Sequence, residues 1–433
     1  MKKSSNTVVI GAGISGLTAA YNLRKLNKNV IVLEKENKVG GRAKVEKKDD
    51  FILDTSAQFI FEDFYNFFDI VREVKISNNI IPTNSNIAFY RNKKFHVLNL
   101  LGIIKFGSIK EKYKILRLLN ILRKHDKNFS YTNLQKSKEF DSEIFSKWIN
   151  HHFGDSILEY FVQPIVSSLC LSHPEKLSAS YGLTLLNSSL RKEIYAISNG
   201  IGSVSEKLKD NIGKKYVKTS SEVKKIEIDG NKINGVELKD DFIDASFVIS
   251  SIPPPVLSKI AKLPNEMKKL IKEIDYSPCI HLWICLNEPI WKNSMAILFP
   301  RIEWKDHIAI IETSLKSKTH VPSGKSMIEV FVFEDHARQL LKMDNEKIKE
   351  KILDDLNNFF VHIKKKVLWY KILKIKYGMP IYKPRYHELV KKLNKKWIEG
   401  LVLCGDYMAM PSLETAVWSG KNAAKVIIRG DKK

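Results

Sequence analysis

The sequence predicts an α/β fold with a dinucleotide-binding domain built from separated segments, and three observations support this. A short β-branched run, Thr7–Ile10, leads directly into a glycine-rich turn at the start of the chain. A second apolar run, 401–404, leads into Gly405 and Asp406 close to the other end. Between them, short apolar runs are interspersed with segments of helical periodicity, which is typical of a mixed sheet-and-helix protein.

Length and composition indicate an ordinary globular protein. The 433 residues contain 44% hydrophobic and 28% charged side chains, and this length corresponds to roughly two to three domains. No apolar stretch is long enough for a spanning helix. The four cysteines are scattered without a C-x-x-C pair, so we expect no metal site, no disulfide framework and a cytoplasmic location.

The net charge of +24, from 72 basic and 48 acidic residues, leaves several partners open. A nucleic acid, an anionic membrane surface or an anionic substrate would each be attracted. A general lysine bias would give the same number, because lysine is spread along the whole chain and greatly outnumbers arginine. Base recognition favours arginine, and no nucleic-acid-binding motif is visible, so we expect no specific nucleic-acid partner.

The glycine-rich turn has the pattern G-x-G-x-x-G and lies in the context that makes this pattern specific. It spans residues 11–16, including Ser15, and is followed by helical periodicity and a second β run, 29–33. Gly11 allows the tight turn, Gly13 lets the backbone approach a pyrophosphate, and Gly16 lets the helix pack on the strand. The free N–H groups of the helix N-terminus attract the phosphates.

Glu34 follows the second β run, 18 positions after Gly16. An acidic side chain at this place accepts hydrogen bonds from ribose hydroxyls and disfavours a 2′-phosphate. The site is therefore predicted to bind NAD or FAD, and this half of the sequence leaves the two open.

The next residues, Gly40, Gly41 and Arg42, bring close-packing glycines and a cation to the same place. Here the chain resembles the flavoprotein superfamily that contains amine oxidases, protoporphyrinogen oxidases and phytoene desaturases. That resemblance implies a Rossmann-like FAD-binding domain in which Gly41 and Arg42 contribute to holding FAD.

The C-terminal segment is similar to the second FAD motif of the same superfamily, G-D … S-x-E-G-A … S-G-x-x-A-A. The resemblance implies that Gly405 and Asp406 hold the ribityl or pyrophosphate region. It also places the N-terminus of a helix, with Glu414, Thr415 and Ala416, against the pyrimidine edge of the flavin. A helix N-terminus there would stabilise negative charge on the reduced flavin. Thr415 replaces the usual glycine.

Two further segments match the family. Residues 51–59 resemble the strand beside the flavin, which implies cofactor contacts for Ala57 and Gln58. Ser56 replaces a usual glycine, so the backbone there must avoid positive φ or bear strain. Val223 lies where the family pairs a valine backbone with adenine, and an ordinary strand residue is an equal alternative.

Residues 141–186 resemble protoporphyrinogen oxidases most closely, and the turn 378–382 is similar to their A-x-P-x-Y segment near the flavin. Tyr382 is therefore a candidate wall of the substrate pocket, with a core tyrosine as the alternative. A further segment, 98–123, mixes apolar and basic residues. It is consistent with a peripheral membrane helix that admits an apolar substrate, or with a domain helix that has a solvated face.

The resemblance implies an FAD-dependent oxidoreductase that takes a hydride from a substrate C–H to flavin N5, most similar to protoporphyrinogen oxidases. A flavin amine oxidase or a polyene desaturase is the enzymatic alternative, and a basic dinucleotide-containing binding protein the non-enzymatic one. Family cysteines that bind FAD covalently lie elsewhere in this motif than Cys404, so we expect non-covalent FAD and a small-molecule substrate, apolar or anionic. No catalytic side chain or oligomeric state is predicted.

The predicted FAD-binding domain comprises residues 1–85, 195–260 and 390–433. A helical insert is expected over 86–194. An α+β substrate domain with a mixed sheet is expected over 261–389.

Overall fold

The computed structural model describes residues 6–83, 86–97, 107–304 and 308–430. The strands are β1 Thr7–Ile10, β2 Val30–Leu33, β3 Val45–Lys48, β4 Phe51–Asp54, β5 Ile60–Phe61, β6 Ile80–Pro82, β7 Ile87–Arg91, β8 Lys94–Val97, β9 Ile194–Ile197, β10 Val217–Lys218, β11 Lys225–Asp229, β12 Lys232–Glu237, β13 Phe242–Asp244, β14 Phe247–Ser250, β15 Tyr276–Leu286, β16 Ala296–Leu298, β17 Ile308–Glu312, β18 Ser326–Phe333, β19 Val367–Pro380 and β20 Leu401–Leu403.

The α-helices within these ranges are α1 Ile14–Arg24, α2 Tyr65–Glu73, α3 Ile109–Lys124, α4 Phe145–Phe153, α5 Asp155–Ile157, α6 Gln163–Cys170, α7 Ala179–Arg191, α8 Gly202–Ile212, α9 Pro254–Ile260, α10 Asn265–Lys272, α11 Thr313–Lys316, α12 Glu334–Leu340, α13 Asn345–Asn357, α14 Ile363–Lys366, α15 Tyr386–Leu393 and α16 Leu413–Gly430.

A five-stranded parallel sheet, in the order β10-β2-β1-β14-β20, forms the centre of the first layer. Strand β1 is buried along its whole length, as expected for a parallel strand with helices on both faces. Helix α16 packs on α1, so the last helix lies beside the first. The α/β fold is confirmed, and the N-terminal and C-terminal segments meet in one sheet.

A seven-stranded sheet, in the order β19-β15-β18-β17-β16-β7-β8, forms the second layer. Its strand pairs are antiparallel except for β16 and β7. The strands expected between residues 278 and 334, and the one expected from residue 367, are confirmed. Strands β15 and β18 are buried along their whole length, because each pairs with a strand on both sides.

The segment 86–194, expected to be a helical insert, is not helical at its start. Strands β7 and β8 form a hairpin that extends the seven-stranded sheet through the parallel pair β7–β16. The expectation failed because this pairing joins residues about 200 positions apart, which local periodicity does not report. Helices α3 to α7 follow, and most of α7 is buried.

Helix α3 covers the C-terminal part of the basic amphipathic segment, whose residues 98–106 lie outside the described ranges. It begins after Ser108, whose hydroxyl accepts from the Glu111 N–H at 3.3 Å while the Glu111 carboxylate accepts from the Ser108 N–H at 2.7 Å. This reciprocal pair is a capping box and accounts for the start of the helix. Across the described residues, we find no helix with the length and apolar character needed to cross a membrane.

Candidate active site

A cavity of about 790 Å³ is lined by both layers of the fold. Twelve of the fifteen residues that the sequence assigned to cofactor binding line it: Gly11, Gly13, Ser15, Glu34, Gly41, Arg42, Ala57, Gln58, Val223, Gly405, Asp406 and Ala416. The fold therefore brings the three predicted cofactor segments, from the beginning, middle and end of the chain, to one cavity.

The glycine turn between β1 and α1 leaves room for a ligand on one side and none on the other. A Cβ placed on Gly13 would meet no atom within 4 Å, so this position faces open space in the cavity wall. A Cβ on Gly16 would lie 2.2 Å from the Gly11 carbonyl oxygen. Gly16 is thus outside the cavity lining and serves helix packing, as its place in the motif implied.

Glu34 holds this turn against the end of β2. Its Oε2 accepts from the Ala12 N–H at 2.7 Å, and its Oε1 accepts from the Glu36 N–H at 3.0 Å. Each carboxylate oxygen has a second lone pair, so the buried side chain can still accept hydrogen bonds from ribose hydroxyls.

Arg42 joins three distant segments at the middle of the cavity. Its Nη2 lies 2.7 Å from Asp406 Oδ1, and its Nη1 donates to the Gly378 carbonyl oxygen at 2.7 Å. Asp406 follows β20, and Gly378 belongs to β19 of the seven-stranded sheet. The planar fork of the guanidinium makes both bonds at once, and a lysine ammonium cannot reproduce that geometry.

The N-terminus of α16 lies at the cavity, with Leu413 and Ala416 in its lining. The Ser412 hydroxyl caps it by accepting from the Thr415 N–H at 3.0 Å. The helix end therefore presents its positive pole to the cavity, as the sequence motif implied.

The Glu414 and Thr415 side chains do not line the cavity, contrary to expectation. The Glu414 carboxylate accepts from the Asn66 and Phe67 N–H groups, each at 3.0 Å, and so caps the start of α2. The Thr415 hydroxyl is buried against the Met410 and Tyr131 carbonyl oxygens. Both side chains join α16 to its neighbours, and Ser412, Leu413 and Ala416 line the cavity around them.

At Ser56 the backbone was expected either to avoid positive φ or to bear strain. The structure has the strained conformation, with a φ of 62°. This left-handed conformation costs a non-glycine residue about 1 kcal/mol. The strained turn carries Ala57 and Gln58 into the cavity wall. The Ser56 N–H donates to Nδ1 of the buried His281 at 3.4 Å.

Tyr382 is a core residue and not a cavity wall. It is buried between Tyr181 and Tyr386, with ring centroids 5.5 and 4.6 Å away. Tyr377 occupies the wall instead, together with Leu373, Ile375 and Met379 at every second position of β19. This period-two face was visible in the sequence and was the available signal for Tyr377.

Tyr276 and Tyr407 also line the cavity and were missed by sequence reasoning. Their hydroxyl groups are buried without a hydrogen-bond partner among the described residues. Burial raises the pKa of both phenols well above the usual value, so each remains a neutral donor. Buried hydroxyls without partners beside an open cavity fit a site that a polar ligand completes.

The seven-stranded sheet and helices α6 and α7 contribute a wall of a different character. Its members are mainly apolar, including Leu169, Leu171, Leu298, Ile311, Phe331 and Ile375. Lys374 and Lys376 alternate with these wall positions of β19 and reach only the edge of the cavity, and the Lys374 ammonium donates to the Met343 carbonyl oxygen. Among the described residues this wall has no carboxylate. The carboxylates of the cavity are all contributed by the nucleotide-binding side: Glu34, Glu36, Glu46, Glu222 and Asp406.

The fold and the cavity together define a dinucleotide-binding oxidoreductase with an apolar substrate side. The family model for "Flavin containing amine oxidoreductase" matches residues 14–428, and the chain belongs to that family. The protein is therefore an FAD-dependent oxidoreductase, and the non-enzymatic alternative is set aside.

Individual relatives are similar over most of their length. Mitochondrial protoporphyrinogen oxidase from Nicotiana tabacum is 24% identical, with 98% of this chain and 95% of that protein covered. Flavin-containing amine oxidase A from Equus caballus is also 24% identical, with 81% and 68% covered. The crystal structure of a candidate protoporphyrinogen oxidase from Exiguobacterium sp. 255-15 has the same fold, with a TM-score of 0.81, 16% identity and 98% and 99% coverage.

Replacement of Arg42 tests whether its bonds to Asp406 and Gly378 are needed for FAD binding. We expect Arg42→Lys to raise the Kd for FAD about tenfold and Arg42→Met to raise it further, because at least one buried acceptor loses its donor. Quenching of FAD fluorescence by apo-protein would measure the Kd. Arg72→Lys, on an arginine that is 67% exposed, is the matched control. Equal Kd values for all four proteins would contradict the assigned role of Arg42.

Proposed function

We propose that this enzyme oxidises a bulky, largely apolar substrate of the protoporphyrinogen type. The observation that carries the proposal is the apolar wall with no described carboxylate. A substrate amine bears a positive charge at neutral pH and would find no anionic partner on that wall. A ring system with carboxylate side chains would find apolar contact there, with Lys376 at the edge as a cation. The similarity to the tobacco protoporphyrinogen oxidase over 95% of that protein supports the same substrate class.

The protein side of the reaction consists of orientation, exclusion of water and charge stabilisation. Bound FAD supplies the chemistry by accepting a hydride from the substrate. Glu34 and the glycine turn would hold its ribose and phosphates, and Arg42 with Asp406 would fix the central part of the cofactor. The N-terminus of α16 would stabilise negative charge at the far end, because its free N–H groups point into the cavity.

Flavin amine oxidation and polyene desaturation remain the competing activities. The amine oxidase relatives favour the first. The apolar wall also suits an uncharged polyene, which would offer no partner to Lys376. Anionic substituents on the substrate therefore distinguish these possibilities.

Anaerobic mixing tests the substrate class. We expect protoporphyrinogen to bleach the flavin absorbance, and simple amines and a polyene such as phytoene to leave it unchanged, because the wall offers apolar contact and a cation at its edge but no carboxylate. Bleaching by an amine alone would overturn the proposal.

A variant pair sharpens this test. We expect Ile375→Asp to raise the KM for the porphyrinogen about tenfold, because it places a carboxylate on the apolar wall. Leu368→Asp is the matched control, since Leu368 is on the same strand, is 46% exposed and does not line the cavity.

We also propose that FAD is held without a covalent bond. The four cysteines are free and buried, and none of them lines the cavity. Burial raises the pKa of the Cys404 thiol to about 12, so the nucleophilic thiolate is scarce at neutral pH. Free thiols are also what a cytoplasmic protein carries, and we propose that location.

Acid precipitation tests the mode of cofactor attachment. We expect the yellow colour to remain in the supernatant, because no bond would hold FAD to the denatured chain. Colour in the washed pellet would show a covalent link.

Helix α3 supports a further proposal, contact with an anionic membrane surface. Ile109, Tyr113 and Leu116 form one exposed stripe and are 83%, 68% and 60% exposed. The opposite face packs into the core through Ile115, Leu118 and Leu122. Lysines flank the exposed stripe at positions 110, 112 and 114. This arrangement suits a helix that lies in the lipid headgroup region.

Vesicle flotation tests this surface. We expect binding to phosphatidylserine vesicles that weakens with salt, and an affinity at least about tenfold lower after Ile109→Ser, Tyr113→Ser and Leu116→Ser together. A triple change at Leu26, Val361 and Leu368, which are exposed apolar residues elsewhere, is the control. Equal binding by both triple variants would contradict the role of α3.

A further inference from the structure

A ring of buried polar groups lies directly behind the strained turn in the cavity wall. Its members are Ser56, His281, Glu329, Lys316 and Gln58, and the Lys316, Glu329 and His281 side chains are fully buried. Burying charged groups is costly unless each one is paired and hydrogen-bonded. A cluster this costly to bury is expected to hold another part of the structure in place.

The first half of the ring runs from the backbone of Ser56 to a carboxylate. The Ser56 N–H donates to His281 Nδ1 at 3.4 Å, so Nδ1 is an acceptor and the ring proton is on Nε2. His281 Nε2 then donates to Glu329 Oε2 at 3.0 Å. Burial lowers the pKa of His281, which fits the neutral form.

The second half returns to the same turn. Glu329 Oε1 accepts from Lys316 Nζ at 3.0 Å and from the Thr313 hydroxyl at 2.8 Å. Lys316 Nζ also donates to Gln58 Oε1, and the Gln58 amide nitrogen donates to the Asp54 carbonyl oxygen at 3.1 Å. The amide of Gln58 is therefore fixed in one orientation where it lines the cavity.

The charges within the ring balance. Burial opposes ionisation of Glu329, but Lys316 and His281 outweigh it and lower the pKa of Glu329 to about 2. An ionised Glu329 thus faces a charged Lys316. Two further side chains lie beside the ring: Asp54 Oδ2 is 3.5 Å from Lys316 Nζ, and His320 Nδ1 is 3.8 Å from Asp54 Oδ2. Burial raises the pKa of Asp54 and lowers that of His320.

We propose that the Lys316–Glu329–His281 ring is a positioning device for the FAD site, which holds Ser56 and Gln58 in the conformation that the bound cofactor contacts. These three side chains do not line the cavity, so they act through the turn. The strain at Ser56 explains why such a device is needed, because a serine with left-handed backbone angles keeps them only where its surroundings hold it in place. The proposal rests on FAD binding and is independent of which substrate is oxidised.

A charge-neutral double variant tests the ring. We expect Lys316→Met with Glu329→Gln to raise the Kd of apo-protein for FAD about five- to tenfold, and to shift the visible absorption bands of bound FAD. Glu334→Gln is the matched control, because Glu334 is equally buried but bonds to Ser172 and Lys176 outside the ring. We expect this control to lower the Tm and leave the Kd within about twofold. A lower Tm with unchanged Kd in both proteins would show a merely structural cluster and overturn the proposal.

A second pair of variants separates the two bonds of His281 and decides the question if the double variant does not fold. An asparagine oxygen reaches the position of Nδ1 and keeps the acceptor for Ser56, whereas a glutamine reaches the position of Nε2 and keeps the bond to Glu329. We expect His281→Asn to bind FAD more tightly than His281→Gln, because the bond to Ser56 acts on the turn directly. Equal Kd values for the two variants, or the reverse order, would contradict the proposal. Failure of the porphyrinogen test would leave these Kd measurements unaffected.

Discussion

The hydrogen bonds of Arg42 are the constraint on which the architecture of the active site depends. One guanidinium bonds to Asp406, which follows the last strand of the parallel sheet, and to Gly378, in a strand of the seven-stranded sheet. The two layers of the fold are therefore connected at the middle of the cavity. The Arg42 guanidinium is partly buried and bonds to one acceptor in each layer. If either layer shifted, an N–H group of Arg42 would lose its acceptor.

The cavity divides by chemistry along the same line. On the nucleotide side, backbone N–H groups, glycines and carboxylates suit ribose and phosphate. On the sheet side, apolar side chains from alternating strand positions suit a bulky substrate. This division follows from strand geometry, because β19 presents one face to the cavity and leaves Lys374 and Lys376 exposed at its edge.

The sequence was informative where a function depends on a local backbone shape. The glycine turn with Glu34, and the turn at Gly405 and Asp406, each follow a strand within a few residues. The structure brings these residues to the cavity, with Gly16 in the packing beside it. Prediction failed where the direction of a side chain depends on residues that are distant in sequence. The Glu414 side chain turns to the start of α2, and Tyr382 turns into the core, because of packing against segments hundreds of positions away. The β7–β8 hairpin joins the second sheet for the same reason, and the polar ring behind Ser56 unites residues from four separate parts of the sequence.

The docking of α16 on α1 has a consequence for biosynthesis. Strand β20 and helix α16 leave the ribosome long after β1 and α1, yet they complete the sheet and the packing of those earlier elements. The glycine turn must therefore wait, without its final neighbours, until β20 and α16 have been translated. Flavin loading is thus expected to be a post-translational event, and nascent chains are exposed to chaperones and proteases until the C-terminal helix arrives.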